Sequence, residues 1–383
     1  MKHLNSFHLF IVFVSIFACS EVKKKTTTAE TLFTLVPNVK TGIDFKNTII
    51  QDLKFNALTN AYAYNGGGVA VGDVNNDGFQ DIYFVSNQHS NKLYINKEDF
   101  EFEDVTKQAG IIDEGGWSNG VTMIDINNDG WLDIYVCKSA TSRDERLHTN
   151  KLFINQKNET FKEEAEKWGL DHKGFSTQSY FFDFDRDGDL DMYLLSNRYD
   201  FKTGSTIEDR SKRKFFSETS DHLFRNDGES FTDITLKSGI RNKEFGLSAS
   251  IGDFNNDGWP DIYVANDYIT PDFLYINNKN GTFTNQINDR FSHTSYTSMG
   301  SDYADINNDF LPDLLVLDMS AEDHRRDKQN MPIMNTNFFW KMLRNGYPYS
   351  YLSNTLNLNY GNGHFTDIDK FLEFQKQIGV GHR

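Results

Sequence analysis

The chain has 383 residues, 55 of them acidic and 39 basic, for a formal charge of −16. An apolar fraction of 38% with 14% aromatic excludes global disorder, and the acidic balance argues against nucleic acid as the main partner, because phosphate binding needs a basic face. Two cysteines cannot build a disulfide framework, and 27 glycines against six prolines point to many tight turns.

The N-terminus carries Lys2 and then a short apolar run from Leu9 to Ala18 with Ser15 inside it. A run of that length, at about 1.5 Å per residue, cannot cross a hydrocarbon core about 30 Å thick, so it predicts an export signal. Its end, Ile16-Phe17-Ala18-Cys19, resembles a bacterial lipobox. The reading is a signal peptide over 1–18 and lipidation of Cys19, which implies an outer-membrane or cell-surface lipoprotein. The alternative is an ordinary secretory signal and a periplasmic or secreted protein. Residues 19–31 then form a polar tether, with the lysine run a solvated spacer.

From residue 73 onward a nine-residue pattern occurs five times: DVNNDGFQD (73–81), DINNDGWLD (125–133), DFDRDGDLD (183–191), DFNNDGWPD (253–261) and DINNDFLPD (305–313). Before each comes a short apolar run, and after each comes a run such as Asp-Ile-Tyr-Phe-Val (81–85) or Asp-Ile-Tyr-Val-Cys (133–137). These are β-rich segments bounded by turn residues, so each loop joins two strands, a and b. A third strand, c, carries Leu93 to Asn96, Leu152 to Asn155, Leu223 to Asn226, Leu274 to Asn277 and Leu356 to Asn359. A fourth, d, starts at Phe102, Phe161, Phe231, Phe283 and Phe365. The step from that Phe to the next loop is 23, 22, 22 and 22 residues, so one unit is repeated.

Four short antiparallel strands per unit predict an all-β fold, a β-propeller of four-stranded blades covering residues 32–383. Separate EF-hand-like modules are excluded by position 12 of each loop, which must be a carboxylate there and is Phe84, Val136, Leu194, Val264 and Val316 here. Residues 33–36 with Gly42 and Ile43 read as an orphan strand d. On that phasing five full units are present and a sixth opens at Phe365, which predicts a chain incomplete relative to a larger ring. A five-bladed ring closed by its termini is the alternative.

A carboxylate-rich loop that bends at glycine gathers oxygens around one point, and a flexible shell of six or seven suits Ca²⁺ better than Mg²⁺. The predicted side-chain ligands are Asp73, Asn75, Asp77 and Asp81; Asp125, Asn127, Asp129 and Asp133; Asp183, Asp185, Asp187 and Asp191; Asp253, Asn255, Asp257 and Asp261; and Asp305, Asn307, Asp309 and Asp313. The carbonyls of Phe79, Trp131, Asp189, Trp259 and Leu311 complete the shells. Four to five structural calcium ions are expected. Phe310 replaces glycine in the fifth loop, which predicts a weaker or distorted site.

These loops with their flanks resemble the FG-GAP/VCBS repeats of integrin α-chain propellers. The phrases at 102–111 and 231–240 are similar to bacterial relatives of cartilage acidic protein, the ASPIC/UnbV-associated family. The resemblance implies calcium-stabilised propellers, usually of seven blades, and brings no reaction with it. No ASPIC/UnbV segment is visible in the sequence.

The b–c spacing varies from 12 to 43 residues, so insertions gather on the rim opposite the acidic loops. The third insertion, 198–221, contains Arg198, Lys202, Arg210, Lys212, Arg213 and Lys214. The fifth, 319–355, holds His324, Arg325, Arg326, Phe338, Phe339, Trp340, Tyr347, Tyr349 and Tyr351. These groups suit a protein or glycan partner, although Phe338 to Trp340 could instead plug the channel or cover a blade. No HExxH, Walker or GxGxxG motif occurs, and His172, His222 and His293 are expected on the surface or at blade edges. The sequence reading is therefore a non-enzymatic, exported, calcium-binding recognition or adhesion module. A lyase-like polysaccharide enzyme using His324, Arg325 and Arg326, or a scaffold in an outer-membrane assembly, are the alternatives.

Overall fold

Apolar runs of four to seven residues, separated by turn-forming Gly, Asn and Asp, pair into hairpins because neither face of a lone strand can stay wet. The computed structural model describes residues 32–368 except 54, 61, 114, 140–146, 198–216, 269, 322, 324, 327, 328 and 330–335. The signal segment, Cys19, the tether, most of the third insertion and His324 lie outside the described residues. Residues 1–37 form one unit and residues 38–383 a second, which holds every strand described here.

Five four-stranded antiparallel sheets follow one another. Blade 1 contains β1 (Val69–Gly72), β2 (Asp81–Phe84), β3 (Lys92–Asn96) and β4 (Phe102–Asp104). Blade 2 contains β5 (Ser118–Ile124), β6 (Asp133–Lys138), β7 (Lys151–Asn155) and β8 (Phe161–Glu163). Blade 3 contains β9 (Ser176–Phe182), β10 (Asp191–Ser196), β11 (His222–Asn226) and β12 (Phe231–Asp233). Blade 4 contains β13 (Gly246–Gly252), β14 (Asp261–Asn266), β15 (Phe273–Asn277) and β16 (Phe283–Asn285). A short parallel pair, β17 (Thr294–Ser295) with β20 (Ser350–Tyr351), precedes and interrupts blade 5, which contains β18 (Ser298–Ala304), β19 (Asp313–Asp318), β21 (Thr355–Asn359) and β22 (Phe365–Asp367). Phe365 thus enters the fifth sheet as its outermost strand, with Asn359 opposite it.

Residues 33–36 form no strand, contrary to the expectation of an orphan strand d. Strand d exists in each blade by pairing with its own strand c, and no strand c precedes Phe33 among the described residues.

The second strand of each blade lies between two neighbours. In β6, β10 and β14 every side chain is buried, as alternation on a sheet covered on both faces requires. Tyr83 and Val85 pack with Val121, Ile134 and Val136 of blade 2. Tyr135 and Cys137 pack with Met192 and Leu194 of blade 3. Tyr193 and Leu195 pack with Ile262 and Val264 of blade 4, and Tyr263 and Ala265 with Leu314 and Val316 of blade 5. The d-to-a corners add to this contact. Gly169 at φ 72° ends a one-turn helix, and a Cβ there would stand 2.8 Å from the carbonyl oxygen of Phe231 in the next blade, so only glycine fits.

Among the described residues four apolar clusters join consecutive blades, and none joins blade 5 to blade 1. Val69 and Val71 on the first blade stay 55% and 58% exposed, and Ile306 on the fifth stays 48% exposed. Among the described residues no strand pairing between the two ends closes a five-bladed ring. Residues 44–50 partly clothe blade 1: Phe45 stacks on Phe84 at 4.9 Å and Asn47 bonds to Asn87 at 2.6 Å.

Candidate metal centres and the opposite rim

The five acidic loops share one backbone path. Position 6 has positive φ in each: Gly78 (92°), Gly130 (84°), Gly188 (99°), Gly258 (85°) and Phe310 (69°). Position 4 does too, at Asn76, Asn128, Arg186, Asn256 and Asn308, with φ between 54° and 63°. The sequence reading missed this second left-handed residue. Asn is one of the few side chains at ease there, which explains its recurrence in four loops. Position 4 also reaches the next loop, Asn76 donating to the Gly130 oxygen at 3.0 Å and Arg186 stacking 5.5 Å from the Trp259 ring.

The path turns backbone N–H groups toward the acidic side chains. The N–H of Asp77 donates to Asp73 Oδ1 and Asn75 Oδ1 at 3.1 and 3.2 Å, and Gly78 N–H donates to Asp73 Oδ2 at 2.8 Å. The second and fourth loops repeat these bonds through Asp125, Asn127, Asp129 and Asp253, Asn255, Asp257. Phe79, Trp131, Asp189, Trp259 and Leu311 each donate their N–H to the position-5 carboxylate. The fifth loop is not distorted. Asp309 N–H bonds to Asp305 and Asn307, and Phe310 N–H bonds to Asp305 at 2.8 Å, so Phe310 bears the conformational cost and the loop keeps its shape.

Position 9 is the buried floor of each loop. Asp81 accepts from Val74 N–H at 2.9 Å and Asn96 N–H at 2.8 Å, and Asp133, Asp191, Asp261 and Asp313 accept from the equivalent pairs. Burial, reinforced by neighbouring loop carboxylates, pushes Asp81 up to about 6, Asp133 and Asp261 to about 7 and Asp191 to about 8. It also raises Asp313.

The donor set fits a hard cation. Oxygens of Asp183, Asp185 and Asp187 lie within 4.8 Å of one another, and Asp185 Oδ1 and Asp189 Oδ1 are buried without a hydrogen-bond partner. In the first and fourth loops the Asn75 and Asn255 amide nitrogens donate to Asp77 and Asp257 at 2.9 Å, so the amide and the carboxylate are held side by side within one turn. A divalent ion would supply the positive charge that such a cluster and its buried floor carboxylate lack.

A second repeated polar device sits at the other end of strand b. Asn91, Asn150, Asp221, Asp272 and Asn354 each immediately precede strand c and accept a backbone N–H from the end of strand b, at 2.7–2.8 Å. Burial pushes Asp221 up to about 6 and Asp272 to about 7. The expectation for His222 fails: it is buried, because its ring packs 4.4 Å from His172 and its Nδ1 bonds to Asp233 at 2.8 Å.

On the insertion rim the helix α5 (Thr336–Arg344), fifth after the one-turn helices at Asn38–Thr41, Ala165–Trp168, Thr235–Ser238 and Ile287–Arg290, packs Met342 and Phe338 against Tyr296, Tyr347 and Leu352. Phe339 gathers Trp340, Tyr349 and Tyr351 at 5.4–6.3 Å, and these three partners are exposed. Arg325 and Arg326 are exposed as well. Among the described residues no helix is long and apolar enough to cross a membrane.

The FG-GAP-like repeat family model matches residues 73–136, 215–264 and 253–316. Over 97 residues the chain is 32% identical to cartilage acidic protein 1 of Xenopus tropicalis, a match that spans 25% of this chain and 14% of that protein. Among solved structures it is similar to an Agrocybe aegerita lectin described as recognising non-reducing terminal N-acetylglucosamine, with 14% identity, 78% of this chain and 64% of that one covered, and a TM-score of 0.40. It is also similar to a V. cholerae biofilm matrix protein, with 15% identity, 67% and 35% covered, and a TM-score of 0.33. Among the described residues five consecutive four-stranded blades hung on one acidic loop pattern give the chain an all-β, propeller-type fold, and three of its stretches match FG-GAP-like repeats.

Proposed function

We propose that the chain is a calcium-stabilised, non-enzymatic recognition or adhesion module, exported and tethered at the cell surface through Cys19, that receives a protein or glycan on the rim opposite its acidic loops. The observation that carries this reading is the contrast between the two rims. One rim repeats the same nine-residue loop with the same hydrogen bonds five times. The other varies from blade to blade and exposes the Trp340, Tyr349 and Tyr351 rings around Phe339. Uniform loops suit a structural duty, and variable connections on a rigid repeat suit recognition. Bound calcium would offset two of the three or four carboxylate charges in each loop and hold each hairpin tip closed. The residues that would hold it are the Asp and Asn side chains at positions 1, 3, 5 and 9 of each loop.

The test is binding of the purified mature chain to an array of surface proteins and glycans, beside a Trp340→Ala/Tyr349→Ala double variant. Both rings are exposed, so the variant keeps its melting temperature. Loss of the captured partner is expected. Unchanged capture by the double variant rejects the rim, and polysaccharide cleavage that survives purification rejects the non-enzymatic reading.

A further inference from the structure

The first strands of all five blades border one cavity of about 600 Å³, through Val69, Asn119, Gln178, Leu247 and Met299. It lies at the N-terminal ends of those strands and so opens on the insertion rim, away from the acidic loops. The segment before β1 forms part of its wall with Tyr62, Tyr64 and the run Gly66 to Gly68. Tyr62 is anchored across to blade 4, its hydroxyl donating to Asp267 at 3.0 Å.

Three features of the lining point to one ligand chemistry. Among the described lining residues there is no Asp, Glu, Lys, Arg or His, so a charged ligand finds no counter-charge, and the acidic body repels anions further. Asn197 is 4% exposed, its amide nitrogen reaches Gly246 oxygen only at 3.5 Å, and its Oδ1 has no partner. A buried acceptor left unpaired keeps its desolvation penalty, which an incoming hydroxyl donor removes. The Tyr64 ring stands exposed at the wall, and such a ring covers the weakly apolar C–H face of a pyranose. The volume falls within the range of about 300–1,000 Å³ usual for small-molecule sites.

We infer that this cavity binds the uncharged terminal unit of a carbohydrate, with Asn197 Oδ1 accepting a sugar hydroxyl and Tyr64 covering a ring face. The inference rests on the recognition reading and gives it a second, central site distinct from the Phe339 aromatic patch.

Titration calorimetry of the mature chain against neutral hexose-, N-acetylhexosamine- and deoxyhexose-terminated oligosaccharides, with sialylated and sulfated counterparts, tests it. A neutral ligand is expected to bind at least tenfold more tightly than its anionic counterpart. Tyr64→Ala and Asn197→Leu are each expected to weaken that binding tenfold or more, while Asn278→Ala, in the exposed turn after β15, leaves it within twofold. Tyr64 is exposed, so its variant keeps the test valid if the Asn197 variant fails to fold. Binding indifferent to Tyr64→Ala, preference for anionic sugars, or no binding because water alone satisfies Asn197 overturns the inference. Binding lost in the Trp340/Tyr349 variant but kept in Tyr64→Ala rejects the cavity and retains the rim reading.

Discussion

Asn277 donates its side-chain amide to the backbone oxygen of Phe184, 93 residues earlier in the preceding blade, at 2.8 Å. The same amide bonds to Pro260 oxygen at 3.2 Å, its Oδ1 accepts from Lys279 N–H at 2.8 Å, and its backbone N–H holds Asp261. One buried side chain therefore ties together a c–d turn, its own acidic loop and the acidic loop of the neighbouring blade. Asn155 repeats the device with Val74 and Leu132.

Asn277→Ala removes three side-chain hydrogen bonds and strands two carbonyls, so a loss of about 2–3 kcal/mol is expected in urea unfolding. Asn278, whose bonds are exposed, serves as the control, with Asn278→Ala costing under about 0.5 kcal/mol. Equal effects at the two positions would show that the bond to Phe184 carries no weight.

Calcium removal is the broadest check on the acidic loops. Metal analysis of the mature chain is expected to find four to five ions per chain, and chelation to lower the melting temperature. Each site contributes about 2–3 kcal/mol when calcium stands near a hundredfold above its dissociation constant. An identical melting temperature in chelator would remove the metal from the account.

The Phe310 side chain is 92% exposed while its backbone sits at φ 69°. Phe310→Gly surrenders no packing and relieves a left-handed conformation, so stabilisation of about 1 kcal/mol is expected, with tighter calcium binding in the fifth loop. A destabilised variant would mean that the ring has a contact of its own.

Asp272 answers to pH. Burial pushes it up to about 7, against a free value near 3.8. The folded chain therefore holds a proton that the unfolded chain has released, and stability falls as pH rises between those values. Asp272→Asn abolishes that slope, and Asn already fills the same place in three other blades at Asn91, Asn150 and Asn354. Relative to the parent, the variant is expected to gain on the order of 2 kcal/mol between pH 5 and pH 8. A pH-independent difference would show that Asp272 stays charged when folded.

Much of the fold was legible because it is periodic. The 22–23-residue step from strand d to the next loop fixed the four-strand unit, and the glycine at position 6 marked the loop bend. The left-handed turn at Asn76 and its equivalents was hidden because Asn also serves as an ordinary polar loop residue. Asn277 was visible as part of a Leu-Tyr-Ile-Asn phrase, but its partner Phe184 is set by the stacking of blades and not by local spacing. The cavity was illegible for the same reason. Val69, Asn119, Gln178, Leu247 and Met299 share no motif, and only the arrangement of five first strands gathers them.

Among the described residues blades 2, 3 and 4 are gripped on both flanks, whereas the first and fifth are gripped on one. In a stack whose cohesion is nearest-neighbour, opening starts at the ends and travels inward. Amide hydrogen exchange should accordingly be slowest in β10 of the middle blade and quicken outward, with the second strands of the first and fifth blades exchanging before those of the inner three.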